Sequence, residues 1–178
     1  MSSELRVSTI AAVGGTGAMT LNSNGTVTPS QMIYASFVIS AQYTATSSNA
    51  IISNWQATPS PATTLGASMT NTSGVFTFPH TGKFIIKLQM GGYASGGNRS
   101  YVGGSIKYSS DSGGSYSIIS RSLQNCHADG VWFTSRCDTL IEITNTTTQS
   151  IAFHNYVNGN TVMYPNDNGT MCIFQQVG

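Results

Sequence analysis

The chain has 178 residues, which is enough for one domain with a hydrophobic core. Only 7% of the residues are charged, the net charge is +1, and the lysines and arginines form no basic stripe, which argues against a nucleic-acid partner. No apolar run approaches the roughly 20 residues of a membrane span, and the first residues show no secretory signal pattern. We therefore expect a soluble protein that is made in the cytoplasm and has no membrane partner.

Residues 1–30 are predicted to form a short, extended N-terminal arm. The string "ELRVSTI" alternates apolar and polar residues like a short strand, and the Gly- and Asn-rich string "AVGGTGAMTLNSNGTVTPS" follows it. Leu5, Val7 and Ile10 are the candidate residues through which this arm attaches to another protein, by adding a strand to it or packing upon it.

Residues 31–178 are predicted to form a single all-β domain. Serine, threonine, asparagine and the 19 glycines of the chain favour strands and turns over long helices. Turn strings such as "NTSG", "PHTG" and "VNGN" separate short alternating runs, at the spacing of a sandwich or barrel. Nine runs are predicted as strand-forming: 32–45, 50–57, 74–79, 82–95, 100–110, 115–123, 131–144, 149–157 and 170–177.

The string "GVFTFPHTGKFIIKLQM" predicts a β-corner. Pro79 ends the first strand because it cannot donate to a sheet, and Gly82 permits the reversal into the second. In that second strand the alternation directs Phe84, Ile86 and Leu88 to the core, and it directs the two lysines between and before them to solvent.

This corner resembles the G-x-F-x-x-P-x-x-G-x-Y/F run of the complement component 1q and tumour necrosis factor superfamily. The matching residues are Gly74, Phe76, Pro79, Gly82 and Phe84, and weaker similarity extends over residues 31–178. The resemblance implies a jelly-roll β-sandwich that assembles as a homotrimer. It also implies a set of aromatic residues in the core or at threefold contacts, and we assign this role to Phe76, Phe84, Phe153 and Phe174.

The first thirty residues resemble a different group of proteins. "ELRVSTIAAVGGTGAMTL" is similar to segments that precede globular tips in tailed-bacteriophage fibres and related virion proteins. Bacteriophages use complement-like jelly rolls as exposed knobs, so the two resemblances together imply a protein of the virion surface.

Few residues are suited to catalysis or metal binding. The six carboxylates are scattered without a pair, and no nucleophile or phosphate-loop motif occurs, so we expect no enzyme, no catalytic residue and no cofactor. Cys126, His127, Asp129 and Cys137 lack the spacing of a zinc site, so no metal is expected.

"SSDSGGSY" has the spacing of an Asp-box, in which Asp111 would cap a hairpin. With Cys172 the chain has three cysteines, so at most one disulfide can form within it, and we expect three reduced, buried thiols.

Four aromatic residues fall in loop-like strings. Tyr93, Trp132, Phe133 and Tyr164 lie near Asn and Gly, as the aromatic residues of sugar-binding or partner-binding loops do. The alternative is that these residues form subunit contacts or belong to the core.

Two functions are consistent with these features. The first is a bacteriophage capsid decoration (cement) protein that binds the major capsid or another virion protein. Because the arm is predicted to begin near Met1, we expect no fibre shaft before it. The second is a tail-fibre or spike tip that recognises a host-surface glycan through the four aromatic residues. A secreted lectin-like or cytokine-like module would need an export signal.

Overall fold

The computed structural model describes residues 33–59, 64–165 and 169–177 with their side chains, and residues 9–11, 17–21 and 27–29 as backbone. Every element in these residues is a strand, and none is a helix. No helix in the described part of the chain is long and apolar enough to cross a membrane. The strands are β1 Thr9–Ala11, β2 Gly17–Leu21, β3 Val27–Pro29, β4 Tyr34–Ile39, β5 Tyr43–Ala45, β6 Trp55–Ala57, β7 Thr70–Thr72, β8 Val75–Thr77, β9 Gly82–Ala94, β10 Arg99–Ser109, β11 Ser117–Cys126, β12 Trp132–Ile143, β13 Ser150–Val157, β14 Thr161–Met163 and β15 Met171–Gln176.

Two antiparallel sheets form a jelly-roll sandwich. One sheet has five strands in the order β11-β10-β13-β8-β7. The other has seven strands, of which six follow the order β5-β14-β9-β15-β4-β6 and the seventh, β12, pairs with β9. All nine predicted runs contain strands, so the predicted all-β fold is confirmed; the run 32–45 is divided into β4 and β5, while β7 and β14 fall outside the predicted runs.

The Pro-Gly corner carries the chain from one sheet to the other. β8 lies in the five-stranded sheet and β9 in the seven-stranded sheet, and Gly82 between them has φ = +148°. In β9 the side chains of Phe84, Ile86 and Leu88 are buried, and Lys83 and Lys87 are exposed on the opposite pleat. The predicted orientation of this strand is therefore confirmed.

The core between the sheets is rich in aromatic rings. Phe76 of β8 lies at its centre, with its ring centroid 5.0 Å from that of Phe37, 5.0 Å from Phe174, 5.5 Å from Phe153 and 6.1 Å from Trp55. Three of these pairs are edge-on and the fourth is tilted, as the quadrupoles of aromatic rings favour. Because these rings come from both sheets, their contacts fix the packing of one sheet on the other.

The N-terminal segment contains more backbone pairing than a single extended strand. β1, β2 and β3 pair antiparallel as a three-stranded sheet, with Ile10 opposite Met19. Leu5 and Val7 lie outside the described residues, as does the side chain of Ile10. The arm at 1–30 and the attachment role of these three residues stay predictions.

Candidate functional site

Three aromatic side chains meet on the surface at one end of the seven-stranded sheet. The ring centroids of Tyr93 and Trp132 are 5.6 Å apart, those of Tyr93 and Tyr164 are 5.8 Å apart, and those of Trp132 and Tyr164 are 5.0 Å apart. Trp132 is 58% exposed, and both tyrosines are partly exposed. We call these three residues the ring cluster.

Strand register brings the ring cluster together. Trp132, the first residue of β12, lies directly opposite Tyr93 near the end of β9, and Tyr164 follows β14, which pairs with the same end of β9. Gly92 makes this arrangement possible, because a Cβ there would lie 2.0 Å from the carbonyl oxygen of Val162 in β14. Three of the four aromatic residues predicted as a binding site therefore form one surface, although they lie on or beside strand ends and not in separate loops.

Phe133 differs from the prediction of an exposed binding residue. It follows Trp132 in β12, so its side chain points to the opposite face of the sheet and is only 3% exposed. It belongs to the hydrophobic core.

A shallow cavity adjoins the ring cluster. It has a volume of about 460 Å³ and is lined by Gln124, Trp132, Phe133 and Thr134. Gln124 belongs to β11 of the other sheet, so the cavity lies where the edges of the two sheets meet. Trp132 is thus shared by the cavity and the ring cluster.

A second surface lies on the outward face of the seven-stranded sheet. Leu140 of β12 is 61% exposed and lies directly opposite Ile85 of β9, which is partly exposed as well. Ile173 and Met171 of β15 are partly exposed on the same face, opposite Lys87 and Gln89 of β9. A cavity of about 380 Å³ beside it is lined by Lys87, Leu88, Gln89, Arg136, Cys137, Asp138, Met171 and Ile173.

Sequence reasoning missed this second surface, which we call the Leu140 patch, although the sequence contains a signal for it. The other outward-facing residues of β12 after Trp132 are Thr134, Arg136, Asp138 and Glu142. Leu140 is an apolar residue in this polar register, which is a mark of a contact surface.

The four phenylalanines assigned to the core or to threefold contacts are all buried within one chain. Phe76, Phe84, Phe153 and Phe174 have no exposed surface. They pack in the core and leave no side-chain surface for a contact with another subunit.

The three cysteines are free thiols. Cys126 and Cys172 are buried, and Cys137 is half-buried, which is more accessible than predicted. Burial raises the pKa of all three thiols, and that of Cys172 most strongly. They therefore stay protonated and poorly nucleophilic near neutral pH.

The other predicted polar residues have structural contacts. No group of three His, Cys, Asp or Glu side chains in the described ranges is arranged to hold a metal ion. Asp129 Oδ1 accepts a hydrogen bond from the backbone N–H of Gly96 at 2.6 Å. Asp111 Oδ1 accepts bonds from the Ser109 hydroxyl at 2.6 Å and the Ser115 backbone N–H at 2.9 Å. These bonds hold the pKa of Asp111 at about 2, and its predicted role as the cap of the β10–β11 turn is confirmed.

His154 is packed beside a lysine on the outward face of the five-stranded sheet. Its Nδ1 lies 2.9 Å from the carbonyl oxygen of Asn49 and donates to it, while Nε2 is buried and has no partner in the described residues. The Lys107 ammonium donates to the side-chain oxygen of the same asparagine. Burial, followed by the lysine charge, lowers the pKa of His154, although the bond to Asn49 opposes this shift.

We expect the free energy of unfolding to decrease as pH falls from about 7.5 to 5, the range in which an ordinary histidine takes up its proton. The unfolded chain binds this proton at a higher pH than the folded chain, in which the cation would be buried near Lys107. His154→Gln should flatten this dependence in urea unfolding, while His127→Gln, at an exposed position, should not. Equal slopes in both variants would show that His154 is not the group responsible.

Comparisons with known proteins agree on the fold. No family model matches the chain, and no curated protein does. The chain is similar to the solved structure of Eiger TNF from S. frugiperda, with a TM-score of 0.65 and 13% identity over 83% of this chain and 93% of that one. It is also similar to murine APRIL at pH 8.5, with a TM-score of 0.59 and 11% identity over 83% of this chain and 100% of that one. The protein therefore has a TNF-like jelly-roll fold, as its Pro-Gly corner predicts.

Proposed function

We propose that this protein is a homotrimeric structural protein of a bacteriophage virion, exposed on the particle surface as a capsid decoration or cement protein. The observation that carries the proposal is the combination of a TNF-like jelly roll with an N-terminal string, "ELRVSTIAAVGGTGAMTL", that resembles the segments before virion knobs. Its partners are its own copies and a major capsid or other virion protein. Its role is binding and not catalysis.

The Leu140 patch supports self-association. The Leu140 side chain is 61% exposed and lies opposite Ile85, on the same face as Ile173 and Met171, so it gains by being covered. The number of three subunits comes from the resemblance to the complement 1q and tumour necrosis factor superfamily. In this arrangement the part of each seven-stranded sheet that carries Leu140 faces the threefold axis.

Leu140→Glu is expected to convert the trimer to monomers at micromolar concentration. The substitution places three carboxylates in one apolar contact, and we expect the association to weaken by at least about 100-fold. Sedimentation velocity measures this change. Leu123→Glu is the control, because Leu123 is 40% exposed on β11 of the other sheet. A trimer that persists in Leu140→Glu, or that is lost equally in the control, would contradict this interface.

Location on the particle is tested first with gold-labelled antibody on intact virus from the source lysate. Label distributed over the heads would support decoration. Label at tail ends would favour the second candidate, a tail-fibre or spike tip that binds a host-surface glycan; the ring cluster is the observation that favours it. Unlabelled particles would contradict both.

Attachment is expected to depend on the N-terminal segment. Deleting Met1 to Val13 should abolish binding to particles that lack the protein and leave the trimer intact, because the core and the Leu140 patch lie outside these residues. Leu5→Asp combined with Val7→Asp should have the same effect, and Ser3→Asp combined with Ser8→Asp is the charge-matched control. Co-sedimentation with the particles measures binding. If the truncated trimer still binds the heads, the segment is not the attachment element.

A further inference from the structure

We infer that the ring cluster and the cavity beside it form a binding site for a neutral oligosaccharide. Tyr93, Trp132 and Tyr164 provide the apolar surface, and Gln124 and Thr134 provide hydrogen-bonding groups in the cavity. This inference is independent of the location that we propose for the protein on a virion.

The rings favour a ligand with a flat apolar face. Their centroids lie 5.0 to 5.8 Å apart and their planes are tilted by 40° to 50°, so they form a shallow, uneven surface and not a closed pocket. A pyranose ring has one face of C–H groups that packs on such a surface and an equator of hydroxyls that needs hydrogen bonds. Aromatic side chains suit this contact because few rotatable bonds are ordered on binding.

The polar groups favour a neutral ligand. The residues that line the cavity are Gln124, Trp132, Phe133 and Thr134, and none is charged. The amide of Gln124 and the hydroxyl of Thr134 can each donate and accept, which matches the dual character of a sugar hydroxyl. A volume of about 460 Å³ lies within the range of small-molecule sites, so one or two sugar units can enter while the chain continues over the rings.

The site is separate from the proposed trimer contact. Trp132 and Leu140 are eight residues apart on β12, which corresponds to roughly 26 Å along the strand. A subunit that covers Leu140 therefore does not need to cover the ring cluster. Substitutions at the two surfaces should therefore have different effects. A change at Leu140 should weaken the association of subunits, and a change at Trp132 should weaken the binding of a saccharide.

The experiment is a binding assay on an array of immobilised neutral and acidic oligosaccharides, with the full chain and three variants. We expect binding to a subset of neutral saccharides, a loss of at least tenfold in Trp132→Ala, a smaller loss in Trp132→Phe, and no change in Leu123→Ala, which removes an exposed apolar side chain elsewhere.

A second readout follows tryptophan fluorescence. The chain has two tryptophans, of which Trp55 is buried and Trp132 is exposed. The saccharide found on the array should protect the fluorescence of Trp132 from quenching by acrylamide, and Trp132→Phe should abolish this protection. An array without any binding, equal binding by Trp132→Ala, or dissociation of the oligomer in Trp132→Ala would overturn the inference, and the last result would identify the ring cluster as a subunit contact.

Discussion

Phe76→Ala is expected to lower the free energy of unfolding by about 3 to 5 kcal/mol, the range found for removing a buried aromatic ring. Phe76 has no exposed surface, and its ring contacts those of Phe37, Phe153 and Phe174, which come from both sheets. Because these neighbours belong to paired strands, they cannot close the cavity that the substitution leaves. The loss is a large part of the roughly 5 to 15 kcal/mol by which a domain is stable.

Urea unfolding at one fixed protein concentration measures this effect, since the stability of an oligomer depends on concentration. Leu123→Ala is the control, because it removes an apolar side chain that is 40% exposed, and it should change stability by less than about 1 kcal/mol. Phe76→Leu should lie between the two. A loss in Phe76→Ala no greater than in the control would mean that the aromatic core does not determine the packing of the sheets.

The long strands could be predicted from the sequence because their alternation is governed by burial. In β9, Phe84, Ile86 and Leu88 alternate with polar or partly exposed residues, and the structure follows this pattern. β7 and β14 could not be predicted in this way. Each has only three residues, which is too short to show an alternation of apolar and polar side chains; their sequences are "TNT" and "TVM". Their pairing depends on the neighbouring strands, as β14 depends on the absence of a side chain at Gly92.

The sequence allowed most residues of the candidate site to be identified, but it did not allow their arrangement in space to be predicted. Tyr93, Trp132 and Tyr164 could be selected as aromatic residues in turn-rich strings, but their meeting depends on the register of β12 and β14 against β9. Period-two alternation alone does predict that Phe133 and Trp132 face opposite sides of one strand. The cavity could not be predicted, because Gln124 comes from the other sheet.

The low charge of the chain affects how its outward faces can form contacts. With 7% charged residues, the chain has few side chains that would be costly to desolvate in a contact. On the outward face of β12, however, Arg136, Asp138 and Glu142 flank Leu140, so a second surface that covers Leu140 has to pair with these charges or leave them at its edge. The same composition makes the protein depend on packing and backbone pairing for its stability.

Gly74→Ala is expected to destabilise the protein by about 3 kcal/mol or more, through two separate causes. Gly74 has φ = +89°, a left-handed conformation that costs an alanine about 1 to 2 kcal/mol. An added Cβ would also lie 2.3 Å from the carbonyl oxygen of Ile52, a residue that is itself buried in the core. The backbone of residues 52–53 would have to move, which would disturb the bond between Ile52 N–H and the Phe153 carbonyl oxygen at 2.9 Å.

Gly130→Ala separates these two causes. Gly130 has φ = +71°, and an added Cβ there would meet no atom within 4 Å, so only the conformational cost of about 1 to 2 kcal/mol remains. Urea unfolding of both variants at the same concentration gives the difference between them, which is the cost of the contact with Ile52. A difference near zero would mean that residues 52–53 yield easily and that Gly74 is needed for its backbone conformation alone. A difference of about 1 to 2 kcal/mol or more would show that the first glycine of the G-x-F-x-x-P-x-x-G corner is needed for close backbone packing as well as for its turn.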